Sequence, residues 1–270
     1  STKLGPRDYL KGNLDQVAHY IEKELKPYTN NLQIQSYTAQ DKTFKNIIAH
    51  FKGNSSQAKL YVIGAHYDAY QGLPGADDNA SGIAGLIELA RILSESPIQD
   101  SVELVAYASE EPPYFRSEDM GSFRHAQKLK NQQKEIELMV SLEMIGYFSD
   151  QDGSQDYPLA FLKYFYPKQG NFIALVSNFK NMGALRKFKT KFKKHSEIPV
   201  YSLNAFSLVP GIDFSDHYSY WQEDYPALML TDTAFYRNKA YHTGQDTPDR
   251  LDYERMAKVI DGLYYALQSP

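Results

Sequence analysis

The chain has no cysteine. That excludes disulfide scaffolds, thiolate zinc sites, iron–sulfur clusters and cysteine nucleophiles, so any metal must be held by His, Asp and Glu. It also fits an exported protein without disulfides, and a cytoplasmic one almost as well; periplasmic or secreted is the expectation carried forward. No run approaches the ~18 consecutive apolar residues a membrane span needs. A basic excess is missing too. The 29 Lys and Arg stand against 33 Asp and Glu, a net charge of −4, so nucleic acid is not an expected partner. Glycine and proline are scattered rather than pooled, and neither linker nor internal repeat is visible. One domain over residues 1–270 is therefore expected. What is present, 42% hydrophobic and 23% charged residues, is the balance of a folded globular chain and excludes disorder and fibrous structure.

The apolar pattern alternates between two periods. Leu10, Leu14, Val17, Ala18, Ile21 and Leu25 recur at helical spacing, with Pro27 beyond them. Residues 33–38 and 46–51 read as a hairpin turning near Asp41 and Lys42. Short apolar runs at 59–65, 102–108, 138–145, 172–176 and 226–230 have the form of buried strands. Helical patterns lie between or after them at 83–93, 121–133 and 182–195, and a last helix carries Met256, Val259, Ile260, Leu263 and Leu267 on one stripe with Asp252 as its N-cap. Buried strands alternating with helices predict an α/β three-layer sandwich. Its central sheet is mixed and mostly parallel, helices cover both faces, and the hairpin forms an antiparallel edge. Residues 149–169 are expected to be a surface excursion.

Chemistry-bearing residues recur where these strands end. Ligands in α/β sheets bind beyond the carboxyl ends of the strands. The run 59–65 is followed at once by His66-Tyr67-Asp68, in which Asp68 can accept a hydrogen bond from the imidazole of His66 and fix its tautomer. Gly75-Ala76-Asp77-Asp78-Asn79-Ala80-Ser81-Gly82 opens a helix; its small residues allow close packing around an acid. The run 102–108 ends in Ser109-Glu110-Glu111, a pair of glutamates that is costly unless a cation or proton neutralises it. Glu143 sits inside the apolar run 138–145. Tyr241-His242-Thr243 precedes Asp246, which is expected to orient His242 as Asp68 orients His66. Two histidines and three carboxylates, with one glutamate to spare, suit zinc, or cobalt or manganese in its place. Two divalent ions bring four positive charges; Asp78, Glu111 and Glu143 bring three negative ones, and a bound hydroxide would meet the remainder.

Five motifs in order carry a resemblance: HYD at 66–68, GADDNASG at 75–82, ASEE at 108–111, LEMIG at 142–146 and YHTGQDT at 241–247. On them the chain resembles the co-catalytic dizinc aminopeptidases, the family of the bacterial leucyl aminopeptidases and aminopeptidase Y. The resemblance implies the zinc-exopeptidase fold and two zinc ions. His66 and Glu143 would bind one zinc and Glu111 and His242 the other, with Asp78 bridging them. Glu110 would be the general base and acid acting on a hydroxide held by both metals. Asp68 would support the centre, and Tyr241 would hydrogen-bond the developing oxyanion. A cis peptide at Asp78–Asn79 and a peptide substrate with a free N-terminus are further implications; the oligomeric state is left open.

The chain departs from the family in the long connection after Glu111, Pro112-Pro113-Tyr114-Phe115-Arg116-Ser117-Glu118-Asp119-Met120, and in Glu143 where several relatives use aspartate. A carboxypeptidase, a glutaminyl cyclase of the same fold and a non-catalytic binding domain are the alternatives. His217, in Ser215-Asp216-His217, is expected near the substrate. His19, His50, His125 and His195 are expected to be incidental, because no acid lies at useful spacing. The aromatics Tyr114, Phe115, Tyr147, Phe148, Phe206, Phe214, Tyr218, Trp221, Phe235 and Tyr236 are expected to wall an apolar pocket.

Overall fold

Residues 4–10 and 13–268 are described by the structure, a computed structural model. Its apolar runs form β1 (Leu32–Ala39), β2 (Lys42–Phe51), β3 (Leu60–His66), β4 (Ser101–Tyr107), β5 (Leu138–Glu143), β6 (Ile173–Ser177), β7 (Val200–Asn204) and β8 (Ala227–Thr231). They join into one eight-stranded sheet in the order β1-β2-β4-β3-β5-β8-β6-β7. Pairing is parallel for β4–β3, β3–β5, β5–β8 and β6–β7, and antiparallel for β1–β2, β2–β4 and β6–β8. This is the mixed, mostly parallel sheet expected. The apolar central strands β3 and β5 are buried on both faces, as parallel strands under helices must be. The outer hairpin strand β1 leaves alternate residues in water.

The helices are α1 (Leu14–Leu25), α2 (Gly82–Glu95), α3 (Gly121–Asn131), α4 (Met182–His195), α5 (His217–Gln222) and α6 (Tyr253–Leu267). One layer, α1, α2, α4 and α6, packs its apolar stripes on one face of the sheet around the largest core cluster. The other face is covered by α3 and α5, with Ala126, Leu129 and Tyr220 against Ile48, Val62 and Val105. Helix α6 starts where its cap chemistry places it: the Asp252 side chain accepts from the Arg255 amide at 2.9 Å.

Close packing at the sheet centre depends on Gly64. A Cβ there would lie 2.1 Å from the ring of Tyr107, whose hydroxyl hydrogen-bonds that of Tyr220 at 2.7 Å.

Two elements lie outside the sequence reading. β7 is a five-residue edge strand with mixed side chains and no apolar run. α5 is a six-residue helix, His-Tyr-Ser-Tyr-Trp-Gln, with no aliphatic stripe to announce it. The first helix starts at Leu14, so Leu10 is not part of its buried face and is 63% exposed. Residues 149–169 form the expected irregular excursion, holding one short 3-10 turn at Ala160–Tyr164.

Candidate metal centre

The adjacent strands β4, β3 and β5 end side by side, and each end delivers an acid or imidazole. His66 closes β3, Glu143 closes β5, and Glu110-Glu111 follows β4 after two residues. The chain turns sharply there: Ser109 has φ 55° and Met144 φ 51°, left-handed conformations that cost non-glycine residues energy and are kept only where the surroundings fix them. Asp78 comes from the turn 76–81 that opens α2, and the Asp78–Asn79 peptide is cis, as the resemblance implies. His242, itself at φ 52°, comes from the loop beyond β8.

These five residues, spread from 66 to 242, meet in two sets that share Asp78: His66, Asp78 and Glu143, all buried, and Asp78, Glu111 and the half-buried His242. His66 Nε2 lies 3.4 Å from Asp78 Oδ1 and 3.3 Å from Glu143 Oε2. His242 Nε2 lies 3.0 Å from Asp78 Oδ2 and 3.3 Å from Glu111 Oε2. Two ligand atoms at tetrahedral angle on one zinc are about 3.3–3.6 Å apart when each bond is about 2.0–2.2 Å; three of the four separations lie in that range and the His242–Asp78 one, at 3.0 Å, is slightly shorter. The residues therefore fit a divalent ion in each set, with one oxygen of Asp78 offered to each. Two orphaned atoms agree with that fit. Glu111 Oε1 is buried without a hydrogen-bond partner, and His242 Nε2, although close to two carboxylates, forms no hydrogen bond of acceptable geometry. A lone pair aimed at a common point, rather than an N–H aimed at one oxygen, explains the second.

Glu110 belongs to neither set. Its carboxylate is 3.9 Å from His66 Nε2 and is buried beside both.

The supporting acids hold backbone more than imidazole. Asp68 accepts from the amides of Glu110 (3.1 Å) and Glu111 (3.0 Å), fixing the glutamate pair. His66 Nδ1 has the Asp68 carbonyl at 3.2 Å and the Asp68 carboxylate only at 3.5 Å, so the tautomer is set by main chain first. Asp246 does not orient His242. Its carboxylate accepts from the amides of Asp77 (3.0 Å) and Asp78 (3.1 Å) and fixes the turn that carries Asp78. Asp77 is an anchor too, accepting from Gly146 N and Asn238 Nδ2. His242 is oriented by rings. It lies between Tyr70 and Tyr241, stacked at 4.3 Å and 3.8 Å; Tyr70 was not singled out in the sequence.

The electrostatics are those of crowded, buried acids. Burial and the neighbouring Glu111 and Glu143 push the Glu110 carboxyl well up, against the pull of His66. Burial and Asp78 push Glu111 up to about 7. Burial and Asp78 likewise push Glu143 up, against His66 and the Ser215 hydroxyl, which donates to it at 2.7 Å. Burial would lower both histidines, but the carboxylates outweigh it: His242 rises to about 10 through Asp78 and Glu111, and His66 rises well above its ordinary value through Glu143 and Glu110. Asp78 is also penalised by burial, yet the two imidazoles hold it below the usual carboxylate range. Divalent cations would relieve this repulsion and keep the histidines neutral.

Beside Glu143 lies a cavity of about 90 Å³ walled by Phe172, Ile212, Phe214, Met229, Phe235 and Tyr241. Only some of the expected aromatics reach it. Phe214, Phe235 and Tyr236 do, and Phe115 packs edge-on against Phe214 at 5.6 Å. Tyr114 is core, packed on Tyr9 and Phe44, and Phe206 is 69% exposed. His217 is not a pocket residue. It is fully buried, donates from Nε2 to the Ile212 carbonyl at 2.8 Å and meets Trp221 edge-on; burial lowers it to about 4. His50 and His125 are not incidental: they flank Glu103, at 3.2 and 3.5 Å.

Residues 46–267 match the model described as "Peptidase family M28". The chain is 46% identical over 259 residues to the uncharacterized protein YfbL of Escherichia coli (strain K12), covering 93% of this chain and 79% of that protein. It is 25% identical over 288 residues to leucine aminopeptidase 1 of Paracoccidioides brasiliensis (strain Pb03), covering 98% and 68%. In fold it resembles the LapA aminopeptidase of Legionella pneumophila, with a TM-score of 0.76 at 22% identity over 98% of this chain and 67% of that one.

Proposed function

The chain belongs to peptidase family M28, and from that premise we propose that it is a dizinc aminopeptidase, removing apolar residues from the free N-termini of peptides. The observation that carries this reading is the sharing of Asp78 between two sets of nitrogen and oxygen ligands.

Divalent ions bound in these sets would supply Lewis acidity, lowering the pKa of a water from about 15.7 towards 7 and polarising the scissile carbonyl. The chain's own residues do the rest. Glu110 takes the proton from the attacking water and passes it to the departing amine. A buried carboxylate beside both sets, 3.9 Å from His66 Nε2, is placed for both transfers, and it stays free to act because it is not needed as a ligand. The Asp68 carboxylate fixes its backbone. The Tyr241 hydroxyl donates to the carbonyl oxygen as charge develops on it, its ring held flat against His242. The cavity beside Glu143 takes the first side chain, and its aromatic and aliphatic walls favour an apolar one. The substrate's protonated amine is matched by the acids around it, which favours a chain end over an internal bond.

The deciding experiment compares three reporters: leucyl-p-nitroanilide, its N-acetylated form and a C-terminal reporter peptide. Cleavage of the first alone is expected. Equal cleavage of the N-blocked form, or preference for the C-terminal reporter, would reject the aminopeptidase reading, and N-terminal glutamine cyclised without hydrolysis would favour a cyclase.

A further inference from the structure

The segment ahead of α1 reaches into the back of the metal centre. Arg7 is 3% exposed. Its Nε donates to the Tyr67 carbonyl at 2.8 Å, Nη1 to the Pro74 carbonyl at 2.8 Å and Nη2 to the Gly75 carbonyl at 2.6 Å. Its own carbonyl accepts from the Ala69 amide at 2.8 Å. The first carbonyl lies between His66 and Asp68; the other two lead into the turn that carries Asp78. One planar fork therefore spans the two segments that bring His66 and Asp78 together.

The contact is tight. Gly75, at φ 55°, has no Cβ, and one placed there would lie 2.8 Å from Nη2. From the opposite side the Asp246 carboxylate holds the amides of residues 77 and 78. The turn is gripped by its carbonyls from a cation and by its amides from an anion. Burial works against the guanidinium, but Asp78, Asp68, Asp246 and Glu111 surround it with negative potential.

We propose that Arg7 is a positioning residue for the metal centre: its three divergent hydrogen bonds set the distance between His66 and Asp78, so that the shared-carboxylate site is formed before zinc arrives. The inference rests on the reading of His66 and Asp78 as metal ligands. Lysine is no substitute, since an ammonium carries the charge without the planar fork.

The test uses zinc alone with the full chain. Zinc affinity is read by competition with a chromophoric chelator for the wild type, Arg7→Lys and Arg7→Ala, and melting temperatures of the metal-free forms check folding. Losing a group that orients a ligand typically weakens metal affinity about 10–100-fold. A drop of that size is expected at one of two zinc equivalents in both variants, and ethylguanidinium added to Arg7→Ala should restore it. If the alanine variant does not fold, the lysine variant alone is read. Zinc affinity of Arg7→Lys within about threefold of wild type, well inside the usual range for such losses, overturns the proposal. So does a drop in Arg7→Ala that ethylguanidinium leaves unchanged. A wild-type chain that binds no zinc would instead overturn the functional reading, and this inference with it.

Discussion

Replacing Glu110 with glutamine separates proton transfer from metal binding. The substitution keeps the volume of a buried side chain, so it adds neither cavity nor overpacking. The backbone amide still has the Asp68 carboxylate at 3.1 Å, and neither ligand set includes Glu110. Zinc content should therefore stay at the wild-type value. The metal-free protein should melt no lower, because Glu110 is repelled by Glu111 and Glu143 and its folded-state pKa is raised; removing that ionisable group relieves the penalty it carries above its unfolded pKa. Turnover is different. A positioned general acid–base group contributes about 10²–10⁴-fold, which corresponds to about 3–6 kcal/mol of transition-state stabilisation at ~1.4 kcal/mol per decade. The measurement is kcat on leucyl-p-nitroanilide with zinc content determined on the same sample. Activity within about tenfold of wild type, below the usual contribution of such a group, would refute the role. Loss of zinc along with activity would show that Glu110 is a ligand instead.

Glu103 tests the polar network on the opposite face of the sheet from α2. Burial would raise it, but His125 and His50 hold it down to about 2. A depressed carboxylate contributes stability that is present above its unfolded pKa, near 4.5, and is lost as pH falls towards 2. Burial lowers His125, which weakens its charge on Glu103 near neutral pH, so Glu103→Gln should be less stable than wild type at pH 6 and show a flatter decline between pH 5 and 3; parallel urea-unfolding curves for the two proteins would contradict this. At Gly64, alanine would drive a Cβ to 2.1 Å from the Tyr107 ring, and overpacking of this kind costs about 1–3 kcal/mol. An unchanged melting temperature would mean that the sheet yields there without cost.

The frame of the fold was legible because its central strands are apolar on both faces and its helices carry clear stripes. The same runs marked where the candidate site would gather, since paired glutamates at a strand end and an acid inside an apolar run are costly unless something neutralises them. What sequence spacing cannot register is which loop meets which. Asp68 and Asp246 read as partners of the nearby histidines, yet they bind amides 42–43 and 168–169 residues away. Arg7 gave no signal, since its partners are backbone carbonyls 60–68 positions distant. His50 and Glu103 face each other only through the antiparallel register of β2 with β4. His217 read as a substrate contact because Ser215-Asp216-His217 is similar to an element the resembled family carries near the substrate, but His217 begins a short helix and is buried.

The most direct measurement is a crystal structure of the zinc-soaked protein with anomalous diffraction recorded on both sides of the zinc edge. Two peaks are predicted, one contacting His66, Asp78 and Glu143 and the other Asp78, Glu111 and His242, with Asp78 giving an oxygen to each. A single peak, or peaks away from these five side chains, would contradict the account.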